Sequence, residues 1–81
     1  MAIVNITWNG LSADTQVNVE YNVSDRDLKR IAVELVRSGG VSGMHIRDFP
    51  GDAFDHYVVD RFDTPEGGQR LFLRPKVPFG S

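Results

Sequence analysis

The sequence predicts a small α+β domain with the chain order strand, strand, helix, strand, strand. Three observations predict it. Two segments near the N-terminus alternate apolar and polar residues, as half-buried strands do. The next segment repeats apolar residues every three or four positions, as an amphipathic helix does. Two further short segments rich in aromatic and β-branched residues follow. With 81 residues, 41% of them hydrophobic, the chain has material for one compact core.

The first two predicted strands lie near a turn signal. Apolar residues alternate with their neighbours from Ala2 to Trp8, which predicts a strand with one buried face. Asn9-Gly10 interrupts the pattern and is a turn dipeptide. The strictest alternation runs from Gln16 to Val23 and predicts the second strand. We expect these strands to form an antiparallel hairpin, with Trp8 and Tyr21 packing in or beside its core.

The central helix has a start signal, an apolar stripe and a stop signal. Ser24 is a favourable N-cap, and the carboxylate of Asp27 falls at the third helical position, where backbone N–H groups are free. Gly39-Gly40 ends the helix, because glycine readily adopts the left-handed conformation found at helix ends. Apolar residues at three- and four-residue spacing predict the face that packs on the hairpin: Leu28, Ile31, Ala32, Leu35 and Val36.

The C-terminal half is predicted to add two strands. Residues 41–53 are interpreted as a connection with a short strand at His45–Phe49. Strands are predicted over Phe54–Phe62 and Arg70–Arg74, with a turn over Asp63–Gly68. The helix stripe is buried on one sheet face when the last strand lies parallel to the first in the middle of the sheet. This is the β-grasp fold; a ferredoxin-like split βαβ fold needs a single strand before its first helix.

Charge and composition exclude several classes of protein. The formal net charge is −2, which gives no basic surface for a nucleic-acid backbone. The chain has no cysteine, so disulfides, thiolate metal sites and a cysteine nucleophile are excluded. Met1 to Trp8 has neither the basic start of a signal peptide nor the long apolar run of a membrane span. We therefore expect a cytoplasmic, monomeric protein that binds neither nucleic acid nor membrane.

Polar residues around the later strands are the only candidates for chemistry. No spacing among them matches a known metal site, and no nucleophile or oxyanion-hole motif accompanies them, so we predict neither a metal site nor an enzyme. The remaining enzymatic alternative uses His56 with Asp55 or Asp60 as acid and base. The glycine-rich run 39–43 follows a helix, whereas loops that bind phosphate precede one. The residues considered as metal ligands are His45, His56, Asp48, Asp52 and Asp55.

A resemblance to a known family comes from the order of elements and from the C-terminal residues. The strand ending Leu71-Phe72-Leu73-Arg74 and the extended tail with a glycine near its end resemble ubiquitin-like proteins. The helix Leu28–Val36 and the ending Arg70–Gly80 resemble bacterial ubiquitin-like modifiers in particular. The resemblance divides the chain into a β-grasp domain, residues 1–74, and an extended tail, residues 75–81.

This resemblance implies a protein modifier with no catalytic centre or cofactor of its own. An activating enzyme, which binds the ATP, would convert Gly80 to an acyl-adenylate. A conjugating enzyme would then carry the glycine on a cysteine and join it to a lysine of a target protein through an isopeptide bond. Lys29 and Lys76 are the predicted acceptors for chains of modifiers. The tail residues that partner enzymes would recognise are Arg74, Pro75, Lys76, Val77, Pro78 and Phe79.

The ending departs from the pattern of these modifiers at two places. Phe79 precedes Gly80, where the family has a pair of glycines, and Ser81 follows it. A processing peptidase would have to remove Ser81 before activation. A sulfur carrier would use the same glycine, and it too normally needs the glycine pair.

A non-covalent adaptor is the leading alternative to the modifier. Such a domain would bind its partner through the open sheet face or through an edge strand. Apolar residues on the outer sheet face would form the binding patch, and Ile3, Phe72 and Tyr57 are the candidates. Removal of the tail distinguishes the alternatives, because the modifier loses its function and the adaptor does not.

Overall fold

The computed structural model describes residues 2–63 and 68–76 and confirms the predicted ββαββ class. The sheet has the order β2-β1-β4-β3. Each hairpin is antiparallel, and the central strands β1 and β4 are parallel. One helix packs on one side of this mixed sheet, which is the β-grasp arrangement of ubiquitin-like proteins. The elements are β1 (Ala2–Trp8), β2 (Leu11–Val17), α1 (Asp25–Ser38), β3 (Tyr57–Asp63) and β4 (Gln69–Pro75).

The second strand was predicted too late in the sequence. Trp8 pairs directly with Leu11, so Asn9-Gly10 is a two-residue hairpin loop. Both loop residues have positive φ, 49° and 79°, as the type I′ turn requires. This tight turn fixes the register and starts β2 at Leu11, so most of the segment Gln16–Val23 lies beyond the strand. Its alternation has another cause: Val19, Tyr21 and Val23 still pack against the core.

The helix begins and ends where the sequence predicts. The Ser24 hydroxyl accepts a hydrogen bond from the Asp27 backbone N–H at 3.1 Å. Gly39 has a φ of 80° and closes the last turn. The buried face differs slightly from the predicted stripe, because Ile31 and Leu35 lie at its margin and are half-buried. The fully buried helix residues are Leu28, Ala32, Val33 and Val36.

The connection between α1 and β3 contributes to the core without forming a strand. The predicted strand at His45–Phe49 is wrong, because successive turns carry this segment; for example, Met44 N–H donates to the Val41 carbonyl at 3.0 Å. Residues 54–57 form a turn in which Tyr57 N–H donates to the Phe54 carbonyl at 3.0 Å. As a result β3 begins at Tyr57, three residues after the predicted start at Phe54. The predicted turn over Asp63–Gly68 lies mostly outside the described residues. Buried side chains from this connection are Val41, Met44, Phe49 and Phe54.

The core lies between the helix, this connection and one face of the sheet. The central strands supply Val4, Ile6, Leu71 and Leu73, all fully buried. An aromatic cluster closes one end, where the Trp8 ring lies 4.8 Å from Phe49 and 6.0 Å from Phe54. Within the described ranges no helix is long and apolar enough to cross a bilayer, and α1 has 14 residues.

Candidate interaction surface

The sheet has one face covered by the helix and one face with no helix or strand on it among the described residues. Side chains alternate between the two faces along each strand. The residues opposite the core, which we call the open face, follow from the strand registers. They are Ile3, Asn5 and Thr7 of β1, Ser12, Asp14 and Gln16 of β2, Val58, Asp60 and Phe62 of β3, and Arg70, Phe72 and Arg74 of β4.

The half of the open face formed by β3 and β4 carries an aromatic pair. The rings of Phe62 and Phe72 meet edge to face, with centroids 5.4 Å apart and an interplanar angle of 88°. Phe62 is 53% exposed and Val58 is 37% exposed. Ile3 lies on the adjacent strand, diagonal to Phe72 across the β1–β4 pair. We call Ile3, Val58, Phe62 and Phe72 the apolar patch.

Charged side chains are interspersed with this patch. Strand pairing puts Phe62 opposite Arg70 and Phe72 opposite Asp60. Arg74 donates to Asp60 across the same pair of strands. Arg70 lies 3.6 Å from a carboxylate oxygen of Asp14 on the far side of β1. Each arginine of the open face therefore has an acidic neighbour, and the patch has a polar border of both signs.

Apart from Ile3, the half formed by β1 and β2 is polar, and most of its side chains are hydrogen-bonded to one another. Asn5 donates to Asp14 at 2.8 Å and accepts from the Ser12 hydroxyl at 3.0 Å. Thr7 donates to Ser12 at 3.5 Å. These contacts satisfy the side chains within the sheet, so the apolar patch is displaced toward β3 and β4.

Two of the three apolar residues expected on the outer face are there, and one is not. Ile3 and Phe72 lie on the open face, whereas Tyr57 lies on the inner face with the aromatic cluster. The Tyr57 hydroxyl donates to the Thr7 carbonyl at 2.8 Å. Burial of the ring raises the pKa of the Tyr57 phenol above its ordinary value. Phe62 and Val58 were not predicted on this face, although each lies an odd number of positions from Tyr57 along β3, which places them on the face opposite to it.

Some of the residues predicted for tail recognition lie in or just after β4, and the others lie outside the described residues. Arg74 and Pro75 belong to β4, one residue of which extends past the predicted domain boundary. Arg74 is bound to Asp60, and Lys76 is exposed after the strand. The reactive residue Gly80, the processing residue Ser81 and the tail residues Val77, Pro78 and Phe79 lie outside the described residues.

The predicted acceptor Lys29 lies on the helix. Its ammonium group donates to the Asp55 carbonyl at 3.2 Å and ties the helix to the connection before β3. Lys76 lines a shallow depression of about 380 Å³ together with Ala53, His56, Tyr57 and Pro75.

The histidines and acidic residues considered for chemistry do not assemble into a site within the described residues. No three histidine, aspartate or glutamate side chains there form a group that could hold a metal ion. His56 is exposed, and no hydrogen bond in that part of the chain joins it to Asp55 or Asp60. Asp60 is instead paired with Arg74. The ring of His45 lies beside the end of the helix, 3.5 Å from the point that a Cβ atom would occupy if Gly39 had a side chain.

The fold and the surface together define a small α+β domain of β-grasp arrangement with an open sheet face that carries an apolar patch. Comparison with protein-family models, with curated proteins and with solved structures found no match. The candidate site is therefore defined by its geometry alone.

Proposed function

We propose that this chain is a protein-binding module that docks a partner on the open face of its sheet without covalent chemistry. The observation that carries the proposal is the exposed aromatic pair Phe62 and Phe72 on that face. Aromatic residues and arginine are enriched at the centres of protein interfaces, and polar residues form the rim. The apolar patch with Arg70 and Arg74 at its border has this composition.

The energetics favour Phe62 as the main contact. Full burial of a phenylalanine side chain contributes about 1.5–3 kcal/mol relative to an exposed one. Phe72 is already half-buried and supports the Phe62 ring edge to face, which holds the exposed ring in place before a partner arrives. A preorganised side chain loses less conformational entropy on binding.

The test compares two substitutions of equally exposed residues. Phe62→Ser removes the most exposed side chain of the patch, and Leu11→Ser changes a residue of 55% exposure in β2, next to the hairpin loop. A partner recovered from the native host and then purified should bind the Phe62→Ser variant about tenfold or more weakly in calorimetry. Its affinity for Leu11→Ser should equal that for the unmodified protein. Equal affinities for all three proteins would exclude the open face as the docking surface.

The second candidate is the covalent modifier, and one observation favours it. Arg74, Pro75 and Lys76 are all exposed, so the described part of the chain ends at the surface of the domain. In this proposal an activating enzyme with ATP, a conjugating enzyme and a peptidase that removes Ser81 act on the chain in the cytoplasm. A sulfur carrier would use the same residue.

The two candidates differ in what the last residues do. A chain ending at Lys76 should keep full affinity for its partner if it is a binding module, and it should lose all adducts if it is a modifier. Intact-mass analysis of the protein from its native host detects such adducts directly. Loss of Ser81 together with lysine adducts through Gly80 would establish conjugation, and a thiocarboxylate at Gly80 would establish sulfur transfer.

A further inference from the structure

The strand β3 has one free edge. The sheet order places β3 at the end of the sheet, next to β4 only. All seven of its residues pair with β4 in one continuous register, from Tyr57 opposite Pro75 to Asp63 opposite Gln69. Among the described residues no backbone hydrogen bond reaches the other side of β3 between Val58 and Asp63. A row of backbone donors and acceptors is therefore open to a further strand.

β3 lacks three of the usual protections of an edge strand, although it has two inward-pointing charges, Arg61 and Asp63. Natural edges are commonly blocked by lysine, proline, a bulge or an inward-pointing charge. The strand has no lysine, no proline and no bulge. Its one inner-face cation, Arg61, is bound elsewhere: it donates to the Tyr21 carbonyl at 3.2 Å and to Asp25 at 2.8 Å. These contacts hold the guanidinium beneath the sheet near the start of the helix.

The other edge of the sheet is less suited to an apolar partner. The open-face residues of β2 are all polar, and two of them bond to β1. The Thr15 hydroxyl donates to the Gly40 carbonyl at 3.0 Å, which ties the end of the helix to that strand. In contrast, β3 presents the exposed apolar side chains Val58 and Phe62 on either side of Asp60.

We propose that the free edge of β3 binds an extended segment of a partner protein as a fifth strand of the sheet. Its main chain would pair with β3, apolar side chains would lie beside Val58 and Phe62, and a lysine or arginine would lie beside Asp60. Main-chain bonds supply affinity in this mode of recognition, and alternate side chains supply specificity. The inference rests on the proposed function and names the kind of partner, because such a strand would lie directly beside the Val58 and Phe62 side chains of the apolar patch.

A second copy of this chain is a poorer occupant of the same edge. Full-length antiparallel pairing of β3 with itself puts Asp60 opposite Asp60 on one face. Like charges directly opposite each other destabilise paired strands. Arg74 of each chain would offset part of this repulsion, but it pairs with its own Asp60 and would leave the two carboxylates opposite each other. A partner strand with a central cation avoids this repulsion.

The experiment uses a capped synthetic peptide in which valine, arginine and valine alternate with threonines. We expect the peptide to shift the backbone NMR signals of Val58–Asp63 and to slow amide exchange at every second residue of β3. Two further peptides carry N-methyl groups on one or the other alternate set of residues. Methylation of the set that faces β3 should abolish binding, and methylation of the set that faces away should leave it unchanged.

The charge preference is tested by a matched pair of variants. A peptide with glutamate in place of arginine should bind about two- to fivefold more weakly. The Asp60→Asn variant should lose this preference, and the Asp63→Asn variant, which changes the inner-face end of the same strand, should keep it.

Three results would overturn strand addition. Both N-methylated peptides binding equally well would exclude main-chain pairing. Shifts confined to Phe72 and Ile3, with no slowed exchange in β3, would place the peptide on the open face and leave the proposed function standing. Concentration-dependent shifts of β3 in the free protein would make a second copy the occupant. The binding measurement on Phe62→Ser, by contrast, tests the proposed function, and its result does not show whether the partner pairs with the main chain of β3.

Discussion

At the residue scale, Tyr57 joins three parts of the molecule. Its ring contacts Phe54 of the connection, with centroids 4.8 Å apart, and stacks over Trp8 of β1 at 6.5 Å. Its hydroxyl donates to the Thr7 carbonyl on the first strand, fifty residues away along the chain. The residue therefore fixes the start of β3 against the end of β1, although β4 lies between these strands in the sheet.

Because of the partly buried position of Tyr57, the free energy of unfolding should change with pH in the alkaline range. Burial raises the folded-state pKa of Tyr57 above its ordinary value of 10.0, so the folded protein holds this proton more tightly than the unfolded chain does. The resulting contribution to stability is complete below pH 10.0 and is lost as the pH rises from there through the folded-state pKa.

Tyr57→Phe is the variant that isolates this effect. It should lower the free energy of unfolding at pH 7 by about 0.5–1.5 kcal/mol, because the bond to the Thr7 carbonyl is lost. It should also lose less stability than the unmodified protein above pH 10.0. Thermal unfolding followed against pH measures both, and Tyr21→Phe is the control that retains the alkaline loss. Parallel pH profiles for Tyr57→Phe and the unmodified protein would contradict the assignment.

At the element scale, the β1–β2 hairpin shows how a short turn overrides a longer pattern. The alternation from Gln16 to Val23 is the strictest in the sequence, yet only its first two residues lie in β2. Asn9-Gly10 forms the type I′ turn that matches the twist of paired strands, and the strand must begin directly after it.

Gly10→Ala tests the role of this turn. A Cβ at Gly10 would meet no atom within 4 Å, so the cost is conformational and follows from the φ of +79°. We expect a loss of about 1–2 kcal/mol, the cost of the left-handed region for a residue with a Cβ. Urea unfolding measures it. Gly51→Ala is the matched control, with no positive φ and its nearest contact at 3.8 Å, and a comparable loss there would contradict the explanation.

The helix shows how much local sequence can determine. Ser24 and Gly39 are capping residues whose chemistry acts within one turn, so both ends were predictable. The open face was only partly predictable, because alternation divides the side chains of a strand between two faces but does not say which face packs on the core. Tyr57 and Phe62 lie on opposite faces of β3, and the contacts of Tyr57 with Trp8 and Phe54 place its face in the core. Those tertiary contacts cannot be read from the alternation.

At the scale of the whole molecule, the sheet order divides the strands into two protected and two exposed ones. The central pair, β1 and β4, has neighbours on both sides and supplies the fully buried residues of the sheet. The edges β2 and β3 have one strand neighbour each. The surface proposed for binding therefore includes one central strand, β4, and ends at an edge where backbone groups are free.

Amide hydrogen exchange should display this division. We expect the amides of β1 and β4 to exchange at the rate of global unfolding, and the outward-facing amides of β3 to exchange roughly a hundredfold faster or more. NMR of the isolated protein at low concentration measures both sets. Uniformly slow exchange along β3 would show that its outer edge is already covered, and the proposal of strand addition would then fail.

The parallel pairing of β1 with β4 also sets the order of events during synthesis. Of the described strands, the two that meet in the middle of the sheet are the first and the last in the chain, so Val4 cannot pair until Leu71 has been made. While the ribosome is still translating the residues between them, the N-terminal hairpin and the helix have only part of their core. Pairings between distant parts of a chain form slowly and leave apolar surface exposed until they close. This domain must therefore complete its fold after β4 has left the exit tunnel, and a stalled chain lacking β4 would be a natural substrate for chaperones.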